Sequence, residues 1–309
     1  MAKPVITVIG SFAVGMTLRT GRMPVFGETL IGSDFDMGPG GKGSNQAVGT
    51  ARLGAQSYFA GIIGDDKLGE IATDLYTREG VNTDYLKKTH RMATGVGFII
   101  LNPQGHNGII LDMSANKLMD PPFVDQVEKQ IANSKVVMSV LEIPVPAAAR
   151  AMEIGRKYGV LTLLNPAPAA LLSDEIICNV DILTPNDTEL RILMGLTPGD
   201  PTPTETLAIQ LQGRGAKTII VTMGENGSLI LTPEFTTRIP AVPVNVIDTT
   251  GAGDAYNSGL AVALAEGKDI VSAAKFAACA GALACTRLGV IPSLALRPEV
   301  DALYQKHFS

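Results

Sequence analysis

The sequence predicts an α/β chain in which a mainly parallel central sheet is covered by helices on both faces and carries a small β-sheet lid. Three observations point there. Apolar, β-rich runs recur at Val5–Ile9, 56–63, 134–141, 160–164 and Thr218–Thr222, each the length of a strand. Helical patterns such as 68–79 and 146–158 lie between them, the alternation expected of parallel strands joined by helical crossovers. Two stretches, 12–37 and 94–112, break that rhythm with Gly and Pro interruptions and short polar–apolar alternations. The first reads as short antiparallel strands lying off the main sheet, and similar β character returns in the second.

Taken in order, Val5–Ile9 ends at Gly10-Ser11, a loop delivered at the C-terminal edge of a buried strand, where ligands of α/β proteins commonly sit. The lid strands follow; a turn at Asn102-Pro103-Gln104-Gly105 separates the second pair. Between the two lid stretches lies Gly38-Pro39-Gly40-Gly41-Lys42-Gly43-Ser44-Asn45-Gln46, a glycine-rich loop running into a helix that continues to Leu53. It is not a Walker A loop, because the lysine precedes the last glycine and no Lys-Ser/Thr pair closes it. Its glycines let backbone approach a ligand closely, and Lys42 and Asn45 offer polar contacts suited to sugar hydroxyls. A plain flexible loop and helix cap would read the same way.

Further along, the strand at 134–141 ends in Glu142, and that at 160–164 in Asn165-Pro166-Ala167-Pro168. Thr184-Pro185-Asn186-Asp187-Thr188-Glu189 then opens a helix. Asn186 and Glu189, three apart, share one face, where they would organise hydrated magnesium and phosphate oxygens or simply form a capping box. The strand Thr218–Thr222 runs into Met223-Gly224-Glu225-Asn226-Gly227, with Ser228–Leu231 as the return of a hairpin. Nucleotide phosphates would rest near Thr222 and Gly224; a plain turn needs the same glycines.

The segment around which these pieces are arranged is Asp248-Thr249-Thr250-Gly251-Ala252-Gly253-Asp254, between the run 242–247 and a small-residue helical pattern at 255–266. Two glycines around an alanine let backbone N–H groups converge at the positive end of the following helix, which suits an anion. In phosphoryl transfer these donors would stabilise charge on the transferring oxygens, while Asp254 took the proton of an attacking hydroxyl. The competing reading is a glycine turn with Asp254 as an ordinary helix-start residue. Helical patterns at 272–286 and 297–307 close the chain.

Composition narrows the classes. With 46% hydrophobic and 18% charged residues over 309 positions, the chain is globular, not disordered. A net charge of -5 without clustered Lys and Arg argues against nucleic acid. The N-terminus has no signal-peptide pattern, and no apolar run approaches a membrane span, so a cytoplasmic location is expected. Cys178, Cys279 and Cys285 lack metal-ligand spacing and read as buried reduced thiols; His90, His106 and His307 are scattered, leaving no zinc site or Ser/His/Asp triad.

Four motifs, Gly40-Gly41-Lys42-Gly43-Ser44-Asn45-Gln46-Ala47, Asn165-Pro166-Ala167-Pro168, Thr184-Pro185-Asn186-Asp187-Thr188-Glu189 and Asp248-Thr249-Thr250-Gly251-Ala252-Gly253-Asp254, in this order, resemble the ribokinase branch of the PfkB carbohydrate kinase family. The resemblance covers nearly the whole chain. It implies a single ribokinase-like three-layer α/β/α domain over 1–309, with a β lid formed mainly by 12–38 and 93–113 that mediates homodimerisation. It also implies an ATP- and Mg²⁺-dependent kinase acting on a small sugar. By the same resemblance Asp254 is the base, and Gly251, Ala252 and Gly253 form the anion hole. Asn186 and Glu189 organise Mg²⁺ through water. Thr222, Gly224, Gly227, Gly253 and Asn186 lie near the nucleotide, and Gly41, Lys42, Asn45, Glu142 and Asp254 near the sugar. Asp248, Thr250, Ala284, Arg287, Gly289 and Ser293 fall where family members bind a monovalent cation, which makes K⁺ an expected activator. One departure concerns the substrate: where ribokinases carry Asn and Asp after the first strand, this chain has Gly10-Ser11-Phe12-Ala13-Val14-Gly15. Ribose itself is therefore not implied, and two other readings stay open, a nucleoside kinase of the same fold and a non-catalytic sugar or nucleotide sensor.

Overall fold

The computed structural model describes residues 3–102 and 107–308; the expected turn at Asn102-Pro103-Gln104-Gly105 and His106 fall largely outside them. The strands are β1 (Val5–Ile9), β2 (Ala13–Arg19), β3 (Ser33–Gly40), β4 (Gln56–Gly64), β5 (Asn82–Thr89), β6 (Gly95–Leu101), β7 (Asn107–Asp112), β8 (Val136–Val140), β9 (Leu161–Asn165), β10 (Ile182–Leu183), β11 (Thr218–Thr222), β12 (Ser228–Leu231) and β13 (Thr236–Ile239). The helices are α1 (Lys42–Arg52), α2 (Lys67–Glu79), α3 (Pro121–Asp125), α4 (Glu128–Ala132), α5 (Val145–Tyr158), α6 (Asp174–Ile177), α7 (Asp187–Leu193), α8 (Thr204–Gly213), α9 (Ala252–Ala265), α10 (Ile270–Ala284), α11 (Val290–Ser293) and α12 (Arg297–Phe308).

Nine strands form one sheet in the order β13-β12-β11-β10-β9-β8-β1-β4-β5, parallel from β5 to β11 and antiparallel at the β12 and β13 edge. Strand periodicity sends alternate residues to opposite faces. Ile6, Val8, Val136 and Met138 join a core with residues of α1, α2, α9, α10 and α12. Ile9, Val137 and Leu164 join a second core with α3, α4, α5, α7 and α8. Two cores, one per face, make three layers. The parallel strands end on one side, which brings Ser11, Glu142, Asn165, Thr184 and Thr222 to the same sheet edge.

The smaller sheet has the order β3-β2-β6-β7; β2 and β6 run parallel, so it is not wholly antiparallel. Its register stacks Met37, Met16, Phe98 and Ile110 across all four strands on one face, with Phe98 50% and Ile110 66% exposed. On the other face the rows are bare across β3, β2 and β6, with Gly40, Ala13 and Gly95, then Gly38, Gly15 and Gly97, the second ending at Leu111 on β7.

Several local expectations need revision. Gly38-Pro39-Gly40 belongs to the end of β3, because Gly40 pairs with Ala13 and Gly38 with Gly15, and a loop is left only at Gly41. The run 242–247, to which the sequence assigned no element, forms no strand, and Val246 and Ile247 are more than half exposed. Cys279 is buried but Cys178 is exposed, contrary to its reading as a buried thiol. Among the described residues no helix is long and apolar enough to cross a membrane.

Candidate active site

The glycines of the first motif serve the chain itself. Gly41 has φ +89, and a Cβ there would sit 2.7 Å from the Ala13 nitrogen; at Gly43 it would sit 2.5 Å from the Ser11 nitrogen. Only glycine lets α1 begin against the β1–β2 connection. That approach lets Glu142, at the end of β8, accept from the Ser11 hydroxyl at 2.6 Å and from the Lys42 backbone N–H at 2.8 Å, both on Oε2. The Gly43 N–H in turn reaches Ser11 Oγ at 3.3 Å.

The Lys42 side chain lies in an acidic surround. Burial pulls its ammonium down, but the charges of Asp254, Glu142 and Glu189 outweigh burial and leave it above the ordinary lysine value. Burial pushes the Glu142 carboxyl up, against the opposing pull of Lys42 and its two hydrogen bonds. Glu189 is also raised, chiefly by burial.

Asp254 occupies the first turn of α9 and is 5% exposed. Its Oδ2 accepts from Asn45 Nδ2 at 2.8 Å and its Oδ1 from Gln46 Nε2 at 3.1 Å. Gly251 is the N-cap residue of α9, its φ of +81 turns the chain, and no side chain caps the helix. The Ala252 N–H donates to the Thr249 carbonyl at 3.2 Å, and no side chain caps the remaining N-terminal amides, which stand beside the buried carboxylate, an arrangement suited to holding an anion next to a base. Gln46 escaped the sequence reading; its position after Asn45 in the same helix start was the signal.

Asn186 and Glu189 do form the capping box: Asn186 Oδ1 accepts the Glu189 N–H at 2.8 Å, and Glu189 Oε2 accepts the Asn186 N–H at 2.7 Å. The box uses one Glu189 oxygen, leaving Oε1 outside it. Among the described residues no cluster of three His, Cys, Asp or Glu could cage a metal. A donor set of one carboxylate and one amide fits an ion that keeps most of its waters and is shared with phosphate, as magnesium prefers. Asn186 also bridges to Thr222 in parallel register, extending the sheet edge. Next to it opens a cleft of about 520 Å³ lined by residues including Asn186, Thr204, Thr222, Gly224, Asn226 and Arg238. Thr204 and Arg238 were not foreseen, since α8 and β13 went unrecognised in the sequence, and Asn226 stood in the recognised glycine turn without being singled out. Gly227 does not line the cleft. A Cβ there would lie 2.0 Å from the Ile239 carbonyl oxygen, so the hairpin itself demands glycine.

Of the six residues expected around a monovalent cation, three converge directly. Asp248 accepts the Thr250 N–H at 2.9 Å and the Gly289 N–H at 3.2 Å. Ser293 is fully buried, with its N–H on the Gly289 carbonyl at 3.3 Å. Ala284 ends α10 one residue before Cys285, whose carbonyl accepts the Asp248 N–H. The Arg287 side chain turns away to pair with Glu299.

Comparison with known proteins shows the family. The pattern of the pfkB family carbohydrate kinases matches residues 3–296. A ribokinase of Haemophilus influenzae is 36% identical over 95% of this chain and 96% of its own length. A deoxyribokinase of Salmonella typhi is 35% identical over 92% of this chain and 93% of its own. The solved structure of Arabidopsis thaliana ribokinase complexed with ribose and ATP superposes with a TM-score of 0.91 at 30% identity, covering 100% of both chains. On the match across 294 of its positions and the agreement in fold along its full length, this chain belongs to the PfkB family of carbohydrate kinases, in company with the ribokinases.

Proposed function

We propose that this sugar kinase transfers the γ-phosphoryl group of ATP to a hydroxyl of a small pentose-like sugar, with Asp254 as the general base. The observation that carries the reading is Asp254 itself, a buried carboxylate oriented by two amides at the uncapped N-terminus of a 14-residue helix. Asp254 takes the proton of the attacking hydroxyl, and the backbone of Gly251, Ala252 and Gly253 receives the charge carried by the transferring phosphoryl oxygens. Lys42 and Asn45, with Gly41 and Glu142 beside them, hold the sugar. Lys42 adds positive charge between the acceptor and the phosphates. The nucleotide lies in the cleft along Asn186, Thr222 and Gly224, with Gly227 shaping the turn below it.

Asn186 and Glu189 are the residues that would hold hydrated Mg²⁺, which supplies neutralisation of phosphate charge when bound. K⁺ would bind near Asp248, Thr250, Ala284, Arg287, Gly289 and Ser293, and would steady the turn that leads into 251–253. We read residues 1–309 as one kinase domain with the four-stranded sheet as its lid, formed mainly by 12–38 and 93–113. The apolar row Met37, Met16, Phe98 and Ile110 favours a second copy of the chain as the lid's partner.

The stretch Gly10-Ser11-Phe12-Ala13-Val14-Gly15 lacks the Asn and Asp that ribokinases carry after the first strand, and in it Ala13 and Gly15 share the bare face of the lid, which favours an acceptor with fewer hydroxyls, such as a deoxypentose. The test is ADP release from ATP and Mg²⁺ across pentoses, deoxypentoses, hexoses, polyols and nucleosides. A response confined to pentoses and deoxypentoses supports the proposal. A response only to nucleosides replaces it with the nucleoside kinase reading, and ligand binding with no ADP release replaces it with a sensor.

A further inference from the structure

Behind Asp254 the structure holds a closed ring of hydrogen bonds that joins four distant segments. Gln46 on α1 gives its Nε2 both to Asp254 Oδ1 and to Asn165 Oδ1, each at 3.1 Å. Asn165 at the end of β9 gives Nδ2 to the Thr184 carbonyl at 3.2 Å. The Thr184 hydroxyl donates to Asn257 Oδ1 at 2.6 Å, and Asn257 Nδ2 donates to the Gly253 carbonyl at 2.8 Å. Gly253 precedes Asp254, so the chain of bonds returns to the turn from which it started. All five side chains are between 0 and 6% exposed.

The direction of every bond is fixed by groups that can only accept. The Thr184 carbonyl fixes the Asn165 amide, which then presents its oxygen to Gln46; the Gly253 carbonyl likewise fixes Asn257. Gln46 must therefore turn its nitrogen toward both Asn165 and Asp254. Its own Oε1 is left buried without a partner among the described residues. Rotating the amide would satisfy nothing, because it would set that oxygen against a carboxylate and a second amide oxygen. A buried unsatisfied acceptor is costly and marks a constraint stronger than packing. The close approach of α1 to α9 serves the same end. A Cβ at Gly49 would sit 2.3 Å from Ser258 Oγ, and that hydroxyl has both the Asp254 carbonyl, at 2.8 Å, and the Gln46 carbonyl, at 3.1 Å, within reach of its one proton.

We propose that Gln46 is a positioning residue for phosphoryl transfer: through this ring it locks the Asp254 carboxylate in a fixed relation to the 251–253 turn. The proposal rests on the reading of Asp254 as the base. A carboxylate held by Asn45 alone keeps one donor and can rotate about it, and misplacement on the scale of an ångström costs about 100-fold in rate.

The experiment compares Gln46→Leu and Thr184→Val in two backgrounds, native and Asp254→Asn, measuring kcat, the KM for ATP and the thermal midpoint. Thr184→Val removes one hydroxyl of the ring at nearly constant shape, leaves both donors to Asp254 intact, and serves if Gln46→Leu does not fold. In the native background kcat should fall about 10- to 100-fold for Gln46→Leu and less for Thr184→Val, with the KM for ATP within about twofold. In the Asp254→Asn background neither substitution should lower the residual rate further, since there is no longer a base to position. Equal losses in both backgrounds, or an unchanged kcat for a folded Gln46→Leu protein, would overturn the proposal. Failure of the underlying reading shows separately, as near-native turnover of Asp254→Asn alone.

Discussion

Replacing Gly251 with alanine puts the anion turn to a direct physical trial. Two costs can be worked from the geometry. At φ +81 an L-residue with a Cβ is strained by about 1–2 kcal/mol. The same Cβ would lie 2.6 Å from Val290 Cγ1, well inside van der Waals contact, and overpacking of that kind adds about 1–3 kcal/mol. Together Gly251→Ala should lose about 2–5 kcal/mol, as a lower urea midpoint at unchanged slope, or relieve part of that strain by shifting the turn with a fall in kcat. Adding Val290→Ala removes the collision but not the dihedral strain. The double variant should therefore regain turnover over Gly251→Ala while remaining below the native enzyme. The assay is a pair of urea titrations and steady-state ADP release for the three proteins. Native stability and native kcat in Gly251→Ala would refute the reasoning, because they would mean that the turn accepts a side chain where the geometry leaves no room.

Two further outcomes are expected. Installing Ala13→Asn with Gly15→Asp, where a Cβ at Gly15 meets only Ile99 Cδ1 at 3.6 Å and the Gly38 carbonyl oxygen at 3.7 Å, should shift kcat/KM toward ribose over 2-deoxyribose. A hydrogen bond to a charged group is worth about 1.5–3 kcal/mol, or about 10- to 150-fold in that ratio, and an unmoved ratio would contradict the assignment of these positions to acceptor selection. Glu142 is raised above the ordinary glutamate value by burial, so the unfolded chain releases this proton first. Its contribution to stability is therefore present below the ordinary glutamate range and lost as pH rises through the folded value, and urea midpoints of Glu142→Gln should decline less across that window than those of the native protein.

Much of this architecture could be read from residue patterns because buried parallel strands advertise themselves. Val5–Ile9 and Val136–Val140 are apolar runs that no exposed element would carry. By contrast β5, Asn82–Thr89, is a polar edge strand, half solvated, and lacks that signal. The run 242–247 is the reverse case, an apolar stretch that forms no strand and whose Val246 and Ile247 face solvent. In the site, the turn before Asp254 and the spacing of Asn186 and Glu189 are local, and local pattern reports them. The glycines of the first motif were legible as glycines, but their reason, the approach of α1 to Ser11 and Ala13, depends on tertiary packing. The ring through Gln46 was hidden for the same reason: its partners Asn165 and Asp254 lie 119 and 208 residues away in sequence.

The most direct test of Asp254 as the base of a sugar kinase is a single-turnover quench experiment. It follows labelled γ-phosphoryl transfer from ATP to the responsive sugar in the native and Asp254→Asn proteins, with binding of both substrates measured on the same samples. Bound substrates with transfer slowed by about 100- to 10,000-fold in the variant are the expected result. Transfer at close to the native rate would contradict the account.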